Sequence, residues 1–320
     1  MTGWSRAASV GLSCVTVSAA ACAGSRPPDV RSAEVNVPTT DSGQEGADAS
    51  GLVAEGDRLM GVDVVAAIER YEAARKLTPR DHALLYKLGL AYEQREQWEP
   101  MIAVLARATE LAPDFASYQF RYGYALYQDE QFSEARAPFE ACLEADPNLA
   151  GCEYYLGEVC LQLDDDQCAL ERFTAAIRLD PTRGEYYSAL ADVYLVHKLY
   201  AEAEQVLVAA TRFLPPVDGN RESLYAVYLQ LYQVAQARDD AEAMIAAAEQ
   251  ALEHGGEGHP EMAFVLGATH AMAKPPRKGK AARHLKSFLH RACRGREAAK
   301  LKEQCETAQS LLQVLDQPVP

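Results

Sequence analysis

An all-α stack of helix-turn-helix units is the predicted fold, and three observations predict it. Pro79, Pro113, Pro147, Pro181 and Pro215 recur every 34 residues with no insertion or deletion between them. Upstream of each proline the same offsets carry the same residue classes. Almost the whole of the 320-residue chain is taken up by this pattern and its looser continuation. A unit of this length buries its apolar face only by stacking on a neighbour, so the period predicts a repeat array and, with it, an extended binding surface.

The elements follow in order. Before Pro181 stand Leu156, Gly157, Cys160, Ala169, Phe173 and Ala176, and before Pro113 stand Leu88, Gly89, Tyr92, Met101, Leu105 and Ala108. Tyr122, Gly123, Leu126, Ala135, Phe139 and Cys142 precede Pro147 in the same register, as Leu190, Ala191, Tyr194, Ala203, Leu207 and Ala210 precede Pro215. The small residue after the first large one lets two antiparallel helices approach closely, and the later alanines let the second helix pack on the next unit. The proline stops the second helix and sets the turn that follows. In the first unit, Gly56 leaves the spacing one residue short.

These residues and spacings resemble the tetratricopeptide repeat, from about Gly51 to Pro215. The resemblance implies a right-handed superhelical solenoid whose first helices line a concave groove. Beyond Pro215, Leu231, Ala235, Met244, Ala248 and Ala251 keep the internal offsets of a sixth repeat. After the Gly-rich break at Gly255 to Gly258, Leu266 and Gly267 open a degenerate seventh, which Ala281, Leu285 and Phe288 continue past a Lys274-Pro275-Pro276-Arg277 turn. Leu301, Ala308, Leu311, Leu312 and Leu315 lie at helical spacing and predict a C-terminal capping helix. The resulting division is residues 1–21, 22–50, 51–253 for repeats one to six, and 254–320 for the seventh repeat and cap.

Residues 1–21 read as an export signal: Arg6 precedes an apolar, small-residue stretch from Ala7 to Ala21 that is too short to span a membrane. Ser18-Ala19-Ala20-Ala21-Cys22-Ala23-Gly24 resembles the cleavage box of bacterial lipoproteins, which implies acylation at Cys22 and, with glycine at position 24, an outer-membrane lipoprotein facing the periplasm. Cleavage after an A-x-A triplet with Cys22 incidental is the alternative. From Ala23 to Ser50 the chain is rich in Ser, Pro, Thr, Asp, Glu and Gly, a composition that suits a disordered tether.

Of the eight cysteines, six remain apart from Cys14 in the signal and Cys22: Cys142, Cys152, Cys160, Cys168, Cys293 and Cys305. An even count in an exported chain predicts disulfides. Helical geometry favours Cys142 with Cys152 across the turn between repeats three and four, and Cys160 with Cys168 across the turn inside repeat four; Cys293 with Cys305 follows by subtraction. Cysteines standing in for alanine at packing positions are the alternative.

The net charge of −15 is uneven. Between Ala23 and Ala273 there are 42 acidic and 19 basic side chains, whereas Lys274 to Pro320 holds 11 basic and 4 acidic ones. An acidic body that repels phosphate argues against nucleic acid, while the basic end suits anionic lipid, an acidic partner, another copy's acidic body or simply solvent.

Carried over residue by residue, the family's groove positions are Tyr86 and Leu90 in repeat two, Phe120, Tyr124 and Tyr127 in repeat three, Tyr154 and Glu158 in repeat four, and Ser188 and Asp192 in repeat five. The Lys, Arg and Asn that clamp a terminal carboxylate in peptide-binding members are missing there. An aromatic groove instead suits an extended or helical protein segment with apolar anchors. No nucleophile, zinc-protease or phosphate-loop motif occurs, so neither catalysis nor a cofactor nor a metal is expected. His254, His259 and His270 gather loosely around the Gly-rich break without a ligand framework, and Asp164-Asp165-Asp166 reads as a solvated turn.

The function these features predict is a non-enzymatic, membrane-anchored adaptor supporting assembly of an envelope complex. Its layout resembles the outer-membrane pilotin lipoproteins that bring secretins to their site. Docking of a peptidoglycan or proteolytic enzyme, and self-assembly of acidic bodies with basic ends, are the alternatives.

Overall fold

A computed structural model of the chain describes residues 43–255, 258–294 and 296–316. The export signal, Cys22 and the first part of the tether therefore lie outside the described residues. The described residues form fifteen α-helices and two short 3-10 turns, with no strand among them. The helices cluster into two compact units, one up to Asp180 and one from Pro181 onward.

The first unit holds four antiparallel hairpins: α1 (Gly43–Leu59) with α2 (Val64–Leu77), α3 (His82–Glu93) with α4 (Trp98–Leu111), α5 (Ala116–Gln128) with α6 (Phe132–Ala145), and α7 (Ala150–Gln162) with α8 (Asp166–Leu179). Within this unit α2 packs on α3, α4 on α5 and α6 on α7. Helix α1 begins at Gly43 and buries Ala49, so the last eight residues assigned to a disordered tether are instead part of the first repeat. Burial of that alanine on the repeat outweighs the polar composition of the segment.

The repeat pattern has a direct steric meaning. A Cβ placed on Gly89 would lie 2.8 Å from the Leu105 side chain, and one on Gly157 would lie 2.7 Å from the Phe173 ring. Sixteen residues separate the members of each pair, and the same separation joins Gly123 to Phe139. The glycine is the notch on the first helix and the large residue is the knob on the second. In the first hairpin the notch is Gly56 and the knob Tyr71, one residue closer in sequence, as its short spacing predicts.

The turns inside the hairpins share a second device that the residue types do not announce. Glu96, Glu130 and Asp164 have φ of 54°, 59° and 57°, left-handed positions usually filled by glycine. At each, the next residue's N–H reaches back to a carbonyl five residues earlier, Gln97 to Tyr92 at 3.0 Å, Gln131 to Leu126 at 2.9 Å and Asp165 to Cys160 at 2.8 Å. This closes the helix end and aims the chain into the second helix. Asp165 then caps α8 by accepting from the Cys168 N–H at 3.1 Å, so the three-aspartate run is a helix stop and a helix start.

The second unit continues with α9 (Gly184–Val196), α10 (Tyr200–Phe213), α11 (Arg221–Ala237), α12 (Ala241–Gly255), α13 (Glu261–Met272), α14 (Lys278–Arg291) and α15 (Lys302–Leu315). Its hairpins α9/α10, α11/α12 and α13/α14 are repeats five, six and seven. Lys198 and Asp239 take the left-handed turn position, with φ of 59° and 55°. The 3-10 turn Asp218–Asn220 fills the longer lead-in to repeat six, and Gly267 receives Leu285 in repeat seven. Helix α15 buries Cys305, Ala308 and Leu315 and packs against α13 and α14, the capping role its spacing predicts.

All six cysteines are paired as expected. Cys142 bonds Cys152, Cys160 bonds Cys168 and Cys293 bonds Cys305, with Cα separations of 6.4, 5.8 and 5.8 Å. The first two hold α7 at both ends, to α6 before it and to α8 after it. The third ties the cap to the end of repeat seven.

Candidate partner-binding face

The first helices of repeats two to five supply the residues predicted to line a groove, and the structure sorts them by depth. Phe120 is 0% exposed: its ring meets Phe139 at 6.1 Å and Tyr155 at 5.7 Å, which places it in the core rather than on a face. Tyr124 is 7% exposed, with Trp98 edge-on at 6.1 Å and Tyr155 at 5.3 Å. Tyr86 is likewise buried, stacked on Tyr118 at 4.5 Å, and Ser188 is buried in repeat five. These positions turn inward because consecutive first helices pack on one another, which covers side chains that a lone hairpin would expose.

Leu90, Tyr127, Tyr154, Glu158 and Asp192 stay half-buried. Tyr127 donates to the Glu158 carboxylate at 3.2 Å, a bond from repeat three to repeat four. Gln230 donates to Asp192 at 2.7 Å and so joins repeat five to repeat six. The acidic groove positions are thus already engaged in holding neighbouring repeats together. Burial and the Glu158 charge raise the Tyr127 hydroxyl's pKa, and burial with Glu93 nearby pushes Tyr124 up to about 12. Burial raises the Asp192 carboxyl as well, against the hydrogen bond from Gln230. The face therefore presents uncharged phenols at neutral pH.

Two residues that sequence reasoning passed over complete this face. Arg121 on α5 donates to Glu93 on α3 at 2.6 Å, with side chains 12% and 17% exposed, and its guanidinium lies 5.7 Å from the Phe120 ring. Tyr155 touches Phe120, Tyr124, Tyr127, Phe139 and Tyr154 and is the hub of the aromatic cluster. In the sequence, the signal for the Glu93–Arg121 pair is opposite charges on successive first helices, 28 residues apart. A separate cleft of about 270 Å³ in the first unit is lined by Arg75, Lys76, Pro79, Leu85, Val104 and Arg107, none of them a predicted groove position.

The three histidines near the Gly-rich break do not converge. His254 stacks on Tyr228 at 5.5 Å, whereas His259 stacks on Tyr225 at 3.8 Å and lies between Glu222 at 3.3 Å and Glu261 at 3.1 Å. Among the described residues no cluster of three His, Cys, Asp or Glu side chains could hold a metal ion. His270 is 0% exposed, and neither ring nitrogen has a hydrogen-bond partner. Burial lowers its pKa below the usual 6.5; His284, Lys280 and Arg277 add to the effect and Glu249 opposes it. His284, stacked on it at 5.8 Å, is lowered by burial and by Arg283.

A base with a depressed folded-state pKa binds protons more readily once unfolded, so it stabilises the fold above its ordinary pKa and that stability is lost as pH falls. The midpoint of thermal unfolding of the second unit is expected to drop by several degrees between about pH 7.5 and about pH 5.5. A His270→Phe variant should flatten that dependence; an equally steep one would show that His270 is not its source.

Comparison with known proteins agrees with this architecture. The tetratricopeptide repeat family model matches residues 63–99, 102–150 and 161–217. The C-terminal part of a repeat-containing protein from Cytophaga hutchinsonii is similar over 78% of this chain and 98% of its own, at 16% identity and a TM-score of 0.62. A tetratricopeptide repeat protein from Parabacteroides merdae covers 82% of this chain and 99% of its own, at 15% identity and a TM-score of 0.55. Pseudomonas aeruginosa pilF covers 65% and 92%, at 16% identity and a TM-score of 0.52. No curated protein matches the sequence at a significant level. The helical hairpins, the notch-and-knob pairing and these matches together show tetratricopeptide repeats within residues 63–217 and the all-α fold of that class.

Proposed function

We propose that this protein is a non-enzymatic adaptor, exported and anchored through Cys22 at the periplasmic side of the outer membrane, that holds a protein segment against the first helices of repeats two to four and supports assembly of an envelope complex. The observation that carries the reading is the pairing of all six cysteines beyond Cys22 in short-range disulfides, a pattern that suits an oxidising compartment. It stands beside a sequence that begins like an exported lipoprotein. Leu90, Tyr127 and Tyr154 supply apolar and aromatic contact area at half-buried positions, the character of an interface that takes an extended or helical segment.

Tyr124 is too deep to probe binding without disturbing packing, so the test uses Leu90→Arg combined with Tyr154→Arg. The full chain and this variant are compared by affinity capture from solubilised envelopes, with circular dichroism confirming that both are folded. A partner retained by the native chain should bind the variant at least about 30-fold more weakly, the effect of losing two anchors. Equal capture by both proteins would overturn the binding face. Replacing Cys22 by serine should let a wash at about 300 mM salt move the protein from the membrane to the soluble fraction; retention on the membrane through that wash would overturn the anchor.

A further inference from the structure

The last hairpin carries a strongly basic surface. Helix α14 turns Ala281, Leu285 and Phe288 inward, all fully buried, with Leu285 seated in the notch at Gly267 and Phe288 against Phe264 at 5.3 Å. Arg283, Lys286 and His290 stand at steps of three and four residues on the opposite side and are exposed, and Arg291 and Arg294 extend the patch. Helix α14 contains five Lys or Arg residues and no Asp or Glu, whereas α4, α6, α10 and α12 each hold more acidic than basic side chains.

Neutralisation within the molecule stops short of this stripe. Arg277 pairs with Glu242, and Lys280 lies 3.7 Å from Glu249. Among the described residues, Arg283, Lys286, Arg291 and Arg294 have no ion-pair partner. The disulfide from Cys293 to Cys305 fixes the chain just past the helix, which keeps Arg294 beside the stripe.

We propose that this face of α14 docks on an anionic phospholipid bilayer. Two observations favour a bilayer over a folded acidic partner. The cations are long, flexible side chains, and among the described residues none of the exposed large hydrophobic ones lies beyond Val217, so the face lacks the apolar anchors on which protein interfaces depend. A fluid lipid surface needs none, because its headgroups rearrange around fixed charges. The rest of the chain is acidic and is repelled by the same surface, which confines the contact to this helix.

The docking does not depend on acylation, and its test removes that variable. Full-length protein carrying Cys22→Ser is sedimented with vesicles of phosphatidylcholine alone or with about one-third phosphatidylglycerol, at about 50 mM and about 300 mM salt. Binding is expected only to the anionic vesicles and chiefly at low salt. Adding Arg283→Gln and Lys286→Gln should weaken it on the order of 30-fold, because two surface cations are lost. Adding Arg107→Gln and Arg136→Gln, two cations elsewhere on the chain, should leave it unchanged. Absence of binding to anionic vesicles at low salt, equal binding to both lipids, or equal loss in the two double variants would each overturn the proposal. Salt-sensitive binding to polyglutamate without vesicle binding would overturn it in favour of an acidic protein partner. Failure here leaves the partner-binding face untouched, since that face is read out by capture with the Leu90 and Tyr154 variant.

Discussion

Reducing the three disulfides is expected to produce the largest loss of stability of any simple treatment of this protein. The bridges close short loops, with sequence separations of 10, 8 and 12 residues. Chain-entropy reasoning gives each about 2.5–3 kcal/mol, by restricting the unfolded chain. Two of them act on one helix: α7 is bonded to α6 through Cys142 and Cys152 and to α8 through Cys160 and Cys168. Their combined contribution of about 5–6 kcal/mol is comparable to the whole stability of a typical domain. Scanning calorimetry with and without reductant should show the first unit melting roughly 10–20 °C lower when reduced. The paired variant Cys142→Ser with Cys152→Ser should reproduce about half of that shift. A native protein that melts at the same temperature in both conditions, or whose mass under non-reducing conditions shows free thiols, would contradict the pairing.

Phe139→Ala is expected to have the largest effect of any single substitution considered, a loss of about 3–5 kcal/mol. The ring is fully buried, stacks on Tyr155 at 5.8 Å and meets Phe120 edge-on at 6.1 Å. Opposite it is Gly123, where a Cβ would lie 3.0 Å from the ring. With no side chain there to move into the space, the cavity cannot collapse, which places the cost at the upper end of that range. The same geometry predicts a sign reversal. Gly123→Ala in the native background forces the ring aside and should cost about 1–2 kcal/mol, overpacking outweighing the helix preference of alanine. In the Phe139→Ala background the clash is gone, and Gly123→Ala should restore about 1 kcal/mol. A double-mutant cycle by urea denaturation measures this coupling directly. Additive effects would show that the two positions do not pack as a notch and a knob.

These two sites also show how far the sequence carried the reading. Gly123, Phe139 and Pro147 recur in register with Gly157, Phe173 and Pro181, and that periodicity is enough to place two helices, their contact and the turn after them. It worked because the contacts are local: each knob meets a notch sixteen residues away, inside one hairpin. The cysteine pairs were legible for the same reason, each spanning a single turn. The binding face was legible only in outline. Phe120 and Tyr124 occupy positions that the tetratricopeptide pattern assigns to a groove, yet Trp98 and Phe139 on second helices and Tyr155 on the first helix of repeat four close over them. Whether a residue on a first helix faces solvent depends on the size of side chains in the next repeat, which no offset within one repeat encodes.

What the sequence determined by itself, then, is the kind of structure: fifteen-odd helices paired as hairpins, the notches and knobs that join them, the stopping prolines and the cysteines set across turns. These follow from interactions between residues close in sequence, where spacing alone fixes geometry. Only the tertiary structure decided which aromatic groove positions are core, that Glu93 with Arg121 and Tyr127 with Glu158 bind repeat to repeat, that neither ring nitrogen of His270 has a hydrogen-bond partner, and that Arg283, Lys286, Arg291 and Arg294 are without ion-pair partners among the described residues. Those outcomes depend on side chains about 30 residues apart meeting across the stack, and burial and charge pairing at such contacts are properties of the packed array rather than of any single repeat.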